Sequence, residues 1–149
     1  MKAGPERDLV ARYLDRFAKT GSAVGMEFAG VTEIAESQAR SAEQRMREEA
    51  ERLENALGDA ALVLLDERGK NMTSPAFAGY LSRHIDGGRK AMVVAIGGAD
   101  GHDPALRGKA DLLLSFGALT WPHQLVRVLL AEQLYRASTI LSNHPYHRI

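Results

Sequence analysis

At 149 residues the chain has the length of a single domain, 1–149, and enough apolar side chains to bury a core of its own. Its 19 Lys and Arg balance its 19 Asp and Glu, which excludes a global field drawing it to a polyanion, so a nucleic-acid partner has to meet a local basic patch. The absence of cysteine excludes disulfides, thiolate zinc sites and a thiol nucleophile, and no apolar run reaches the length of a membrane span, so a soluble, cytoplasmic protein is expected.

Pro5 followed by Leu9, Val10, Tyr13, Leu14 and Phe17 predicts an amphipathic helix whose opposite face carries Arg12, Arg16 and Lys19. Val24 to Ile34 mixes Val, Phe and Ile with small residues and predicts a strand. A second helix is expected from about Ser37, with a narrow seam of Ala39, Ala42, Met46, Ala50, Leu53 and Leu57. Ser41 and Gln44 have capping-box spacing near its start, and Gly58 is placed to end it. "ALVLLDERGK" is a continuous apolar run bounded by charge, the pattern of a strand buried on both faces of a parallel sheet. "TSPAFAGYLSRHI" predicts a helix opened by Ser74 and Pro75, "KAMVVAIGGADG" a buried strand running into a glycine turn, and "ADLLLSFGAL" a further short strand and loop. The last helix is expected from Trp121 to about Leu141, with Pro122 in its first turn and Glu132 and Arg136 in the favourable i,i+4 order. Strand alternating with helix, without repeat or linker, predicts a three-layer α/β domain with a parallel sheet.

Open parallel sheets bind ligands where loops leave the carboxyl ends of their strands. Three such ends stand out: Leu65-Asp66, Ile96-Gly97-Gly98, and Ser115-Phe116-Gly117-Ala118-Leu119-Thr120. Glycines there let a flat ligand approach backbone groups able to read an adenine edge. "GGADG" lacks the dinucleotide spacing, and no phosphate loop is present, which disfavours a diphosphate; alone it reads as a turn. No G-x-S-x-G elbow is present. The chain ends on "NHPYHRI". His144 and His147 are close enough in sequence to suggest a metal pair, but Pro145 breaks helical geometry between them and no third ligand follows from spacing, so no metal is expected. What remains is a base or acid in His147, a stacking and hydrogen-bonding group in Tyr146 and a clamp for phosphate or base in Arg148, parts suited to holding a nucleobase and moving its proton. Arg127, Arg136 and Arg148 add positive charge to this last stretch.

"IGGADG", "LSFGALTWPHQLVRVLLAEQLYRASTI" and "NHPYHRI" closely resemble the RlmH family, bacterial ribosomal large-subunit methyltransferases of the SPOUT class. The likeness runs in order through nearly the whole chain. It implies an α/β SPOUT-type three-layer sandwich with a mostly parallel sheet and a C-terminal trefoil knot, an exception to the rule against knotting. It implies a homodimer that uses S-adenosylmethionine to methylate N3 of a pseudouridine in 23S rRNA of the assembled ribosome. The implied cofactor residues are Leu65, Gly97, Gly98, Ser115, Phe116, Gly117, Ala118, Leu119 and Thr120. The tail residues Tyr146, His147 and Arg148 are implied to complete a composite site with the partner subunit, His147 as candidate base and the other two stabilising the uracil ring as it becomes anionic. Members of that family begin with a short apolar strand ahead of the segment matching Met1 to Pro5. Here the chain starts after it, and the expectation is a sheet without that strand, from a start assigned too late or a loss that is tolerated. A related enzyme acting on another RNA such as tRNA, a non-catalytic ribosome-binding module and a flavodoxin-like nucleotide binder are the competing readings.

Overall fold

Three apolar runs too short for helices pair into one sheet, and the longer periodic segments wind into helices around two centres. The computed structural model describes residues 1–88 and 91–148, so Lys90, which opens the predicted strand segment, and Ile149, the last residue of the closing motif, lie outside the described residues. The chain divides into two compact units, one built from Met1–Gly30, Met72–Gly88 and Trp121–Ile149, the other from Val31–Asn71 and Arg89–Thr120.

The second unit holds the sheet. Strands β1 (Ala61–Asn71), β2 (Met92–Ile96) and β3 (Leu112–Ser115) lie in the order β2-β1-β3, and both pairings are parallel. Because β1 is central, its first five residues are buried, as their unbroken apolar run predicts. The edge strand β2 is only half-buried. Register places Leu65 opposite Ile96 on one side and Leu114 on the other, so β2 and β3 end beside Leu65 while β1 runs on to Asn71. Helix α2 (Ala42–Leu57) lays Ala50, Leu53 and Leu57 against Leu62 and Leu64, together with Leu106 from the short helix α4 (Pro104–Lys109). Burial of such side chains contributes roughly 1.5–3 kcal/mol each. Asp111 ties the start of the sheet: its carboxylate accepts from the Leu62 N–H at 2.8 Å, and its own N–H donates to the Leu62 carbonyl at 2.8 Å.

Helix α2 begins later than expected. Ser41 caps it by accepting from the Gln44 N–H at 3.1 Å, whereas Ser37 is held outside by Glu48 and Glu49, which accept from its hydroxyl at 2.6 Å and its N–H at 3.0 Å. Gly58 follows at φ 61°, a left-handed conformation that suits glycine at a helix end. The predicted strand over 24–34 does not form. Gly25 at φ 86° and Gly30 at φ 112° turn the backbone away from an extended path, and Val31 is left 65 % exposed. Helix α4 carries no periodic signal in the sequence, being only six residues long; Asp103 caps it by accepting from the Ala105 N–H at 3.0 Å.

The first unit is helical. Helix α1 (Pro5–Ser22) packs on α5 (His123–Leu141), which also packs on α3 (Ser74–Asp86). Phe17, Phe77, Leu81, Leu130 and Tyr135 are its large buried side chains; Arg12, Arg16 and Lys19 are exposed, but Arg16 turns towards the rings of Tyr13 and Tyr135 rather than away from the apolar stripe. Thr73 rather than Ser74 caps α3, freeing the Ser74 hydroxyl to bond Gln133 of α5 at 2.7 Å. Helix α5 starts two residues later than predicted because Pro122, at ψ 143°, is its extended N-cap.

Candidate functional site

Polar groups gather in both units. In the sheet unit, parallel pairing brings together what the sequence spreads over some fifty residues: Leu65 at the end of the first paired stretch of β1, Gly97 just after β2 and Ser115 closing β3. Beyond Leu65 the chain leaves the ladder at Asp66 and rejoins it when Lys70 pairs with Leu114 and Asn71 with Ser115. The Asp66 carboxylate folds this excursion by accepting from the Arg68 N–H at 2.8 Å. Only glycine fits at position 69, since a Cβ there would stand 2.6 Å from the backbone carbon of Leu113. Ser115 is buried, and its hydroxyl donates towards the carbonyls of Glu67 and Gly117, each at 3.2 Å, and accepts from the Gly117 N–H at 3.0 Å. Gly117 takes φ 111°, Phe116 is half-buried, and Ala118, Leu119 and Thr120 run on exposed.

"GGADG" is a turn, closed by the Gly101 N–H donating to the Gly98 carbonyl at 3.0 Å. It is also clamped from outside. Arg45 of α2 meets Asp100 with two bonds, Nε to Oδ2 at 2.8 Å and Nη2 to Oδ1 at 3.2 Å, and its Nη1 donates to the carbonyls of Ala39 and Arg40. That hydrogen bond holds the Asp100 carboxyl below the usual carboxylate range. Just past the turn lies His102. Burial pushes its pKa below the ordinary imidazole value, against the opposing pull of Asp66 and of the Ala95 and Leu65 carbonyls, while Arg107 adds to the lowering. Its Nε2 is buried with no hydrogen-bond partner, and Arg107 approaches Asp66 at 3.8 Å.

In the helical unit the tail up to residue 148 takes a defined path. Asn143 adopts φ 58°, which lets its N–H reach the Ile140 carbonyl at 3.3 Å and the His144 N–H reach the Thr139 carbonyl at 2.9 Å, a Schellman closure of α5. Pro145 then keeps the chain from continuing as helix, and the tail folds back on α5. The Tyr146 ring lies 4.6 Å from that of Tyr135, and the Arg136 guanidinium sits 4.9 Å from the Tyr146 ring centroid. Arg136 donates to Glu132 at 2.6 Å and approaches His147 Nδ1 at 3.0 Å. Tyr13 of α1 shares a hydrogen bond with Tyr146, and Arg16 lies 5.9 Å from the rings of both Tyr13 and Tyr135. Burial first, then Glu132 and Tyr13, raise the Tyr146 phenol above its ordinary pKa despite Arg136, so it stays protonated at neutral pH. Tyr146 and His147 are half-buried and Arg148 is exposed. His144 Nδ1 accepts from the Tyr146 N–H at 3.2 Å, which together with the His147 bond turns both imidazoles to internal contacts.

Residues 1–147 match a family profile described as "Predicted SPOUT methyltransferase". Proteins named ribosomal RNA large subunit methyltransferase H are similar throughout: that of Mesorhizobium japonicum is 65% identical over 149 residues, spanning 99% of this chain and 93% of the relative. Those of Sinorhizobium medicae and Brucella anthropi are 64% and 62% identical with the same coverage. The chain belongs to this methyltransferase H family. Its parallel sheet and flanking helices are the α/β arrangement the resemblance implied. Within a methyltransferase H chain, the side chains that sequence reasoning passed over are those joined only by folding: Arg45 with Asp100, His102 with Asp66 and Arg107, and Tyr13 with Tyr146. Charge alternation offered no signal for the first pair, which is separated by a helix and two strands. Glu132 and Arg136 were legible as a helix pair, but not as the support of His147.

Proposed function

We propose that this protein methylates N3 of a pseudouridine in 23S rRNA of the assembled ribosome, with S-adenosylmethionine as donor, acting in the cytoplasm as a homodimer of single SPOUT methyltransferase domains. What supports the reading above all is the meeting of Leu65, Gly97 and Ser115 where β2 and β3 end, in a chain of a family whose relatives are named for ribosomal RNA methylation. The loops there suit a nucleoside-bearing ligand. Gly101 and Gly117 have positive φ, no heavy atom stands within 4 Å of where a Cβ would lie, and His102 Nε2 is a buried polar atom awaiting a partner. Leu65, Gly97, Gly98 and Ser115 to Thr120 would hold the donor, largely through backbone groups. When bound, S-adenosylmethionine supplies a methyl group already activated on a sulfonium sulfur.

What is left for the protein is alignment and help with the N3 proton. Tyr146, His147 and Arg148 of one subunit are assigned to the uracil ring presented at the partner's strand ends. Tyr146, kept neutral, donates a hydrogen bond, and exposed Arg148 offers charge to a phosphate or to the ring as it becomes anionic. Zero net charge agrees with a small dimer that gathers basic groups on one face and takes much of its specificity from ribosome shape.

The test is transfer of labelled methyl from S-adenosylmethionine to ribosomes lacking the modification, with mass spectrometry locating the label. Label on N3 of one pseudouridine is expected. No label with intact donor binding refutes the substrate, and no donor binding refutes the methyltransferase reading itself.

A further inference from the structure

The contact between Arg136 and His147 decides more than the tail's position. A guanidinium has five N–H donors and no acceptor, so the nitrogen it meets at 3.0 Å, His147 Nδ1, receives the bond and bears no hydrogen. In the neutral ring the proton then sits on Nε2. Arg136 is held to this task from two sides. Its Nε donates to Glu132 at 2.6 Å and 3.4 Å, a charged hydrogen bond that also raises its own pKa, and its plane lies over Tyr146. With side chains only 26% and 16% exposed, Arg136 and Glu132 form a half-buried pair rather than a loose surface one. Glu132 and Arg136 are one turn apart on α5, and the closure at Asn143 returns His147 to their level.

We propose that Arg136 fixes His147 with its proton on Nε2, so that the imidazole meets the target base as a hydrogen-bond donor to a uracil carbonyl oxygen beside N3, while the N3 proton leaves to water. This rests on the substrate reading given above and gives His147 a role different from the base its residue type suggests. To take the N3 proton, His147 would need a bare Nε2, hence a hydrogen on Nδ1 and loss of the Arg136 bond. Donating needs no rearrangement. The bond also strengthens as the reaction proceeds, because the charge left at N3 spreads onto the two flanking carbonyl oxygens. Arg136 is accordingly a positioning residue, and His147 with Tyr146 forms a pair of donors.

Two measurements test this. In protein labelled with ¹⁵N-histidine, a two-bond ¹H–¹⁵N spectrum at about pH 8, above the ordinary imidazole range, should show His147 with hydrogen on Nε2 and none on Nδ1, the signal being identified by its loss in His147→Gln. Arg136→Met should let the Nδ1–H form appear. A Nδ1–H ring in the wild type, or an unchanged ring in a folded Arg136→Met, overturns the lock; the wild-type spectrum decides alone if that variant does not fold. Single-turnover methyl transfer tests the donor role. Glutamine carries an amide N–H near the place of Nε2 and no basic nitrogen, so His147→Gln should stay within about tenfold of wild type while His147→Ala falls by about a hundredfold or more, the scale of a lost donor to developing negative charge. Equal losses in the two variants overturn the donor. If the wild type transfers no methyl at all, the substrate reading falls and the donor role with it, while the spectrum still settles the tautomer.

Discussion

At Gly69 the backbone of β1 closes on the backbone of β3, and Gly69→Ala tests whether that return is built as described. The new Cβ would stand 2.6 Å from the Leu113 carbonyl carbon, 2.7 Å from its oxygen and 2.9 Å from the Leu114 nitrogen, all backbone atoms. Carbon atoms in comfortable contact are about 3.5–4.0 Å apart, so the two segments must separate by about 1 Å. Overpacking of this kind costs about 1–3 kcal/mol. The separation falls beside the Lys70 and Asn71 pairing with Leu114 and Ser115, and each ladder bond lost adds about 1 kcal/mol. The sum is about 3–5 kcal/mol, or about 6–20 °C in Tm for a chain of this size. Gly108 is the internal control: it lies in α4 with nothing within 4 Å of its would-be Cβ, so Gly108→Ala should stabilise by about 0.4–1 kcal/mol. Urea and thermal unfolding followed by circular dichroism give both numbers. A Gly69→Ala protein melting within about 2 °C of wild type would refute the close approach and with it the geometry assigned to Ser115.

Stability should also depend on pH through His102. Its folded pKa is lowered, mainly by burial, so the unfolded chain binds the proton more readily; the contribution is present above the ordinary imidazole range and is lost as pH falls through it. The urea midpoint should drop as pH falls below about 6.5, and His102→Gln should flatten that slope; a slope identical to wild type would contradict the buried neutral ring. At the other end of the sheet, Asp111→Ala leaves the N–H of buried Leu62 without its acceptor and should cost about 1–3 kcal/mol in urea unfolding. Asp111→Asn keeps an acceptor oxygen and should recover most of that loss, so equal losses in the two variants would point to charge rather than the hydrogen bond.

Local physics explains what could be read in advance. A cap needs neighbours three residues away, so Ser41 with Gln44 was visible in sequence, as was the apolar stripe from Leu9 to Phe17. An unbroken run such as Ala61 to Leu65, short and bounded by charge, matches a strand buried on both faces, although β1 continues past the expected end at Leu65-Asp66 to Asn71. The strand expected over 24–34 failed because apolar content alone does not reveal that two glycines will take positive φ. The tail was recognisable as a concentration of functional side chains but not as a structure. Its shape depends on one left-handed asparagine and on partners supplied by α1 and α5.

Sequence by itself determined the four longer helices and the three paired strands, the likeness to one family and the residue types gathered at the strand ends and the tail, because each is carried by composition or by spacing within a few turns of chain. Strand order, the excursion that demands Gly69, the orphaned nitrogen of His102 and the contact of Arg136 with His147 were decided only in three dimensions. Each of these is set by which atoms packing brings within about 3 Å of one another and which it keeps apart, and hydrogen bonds and steric contacts act only over such distances.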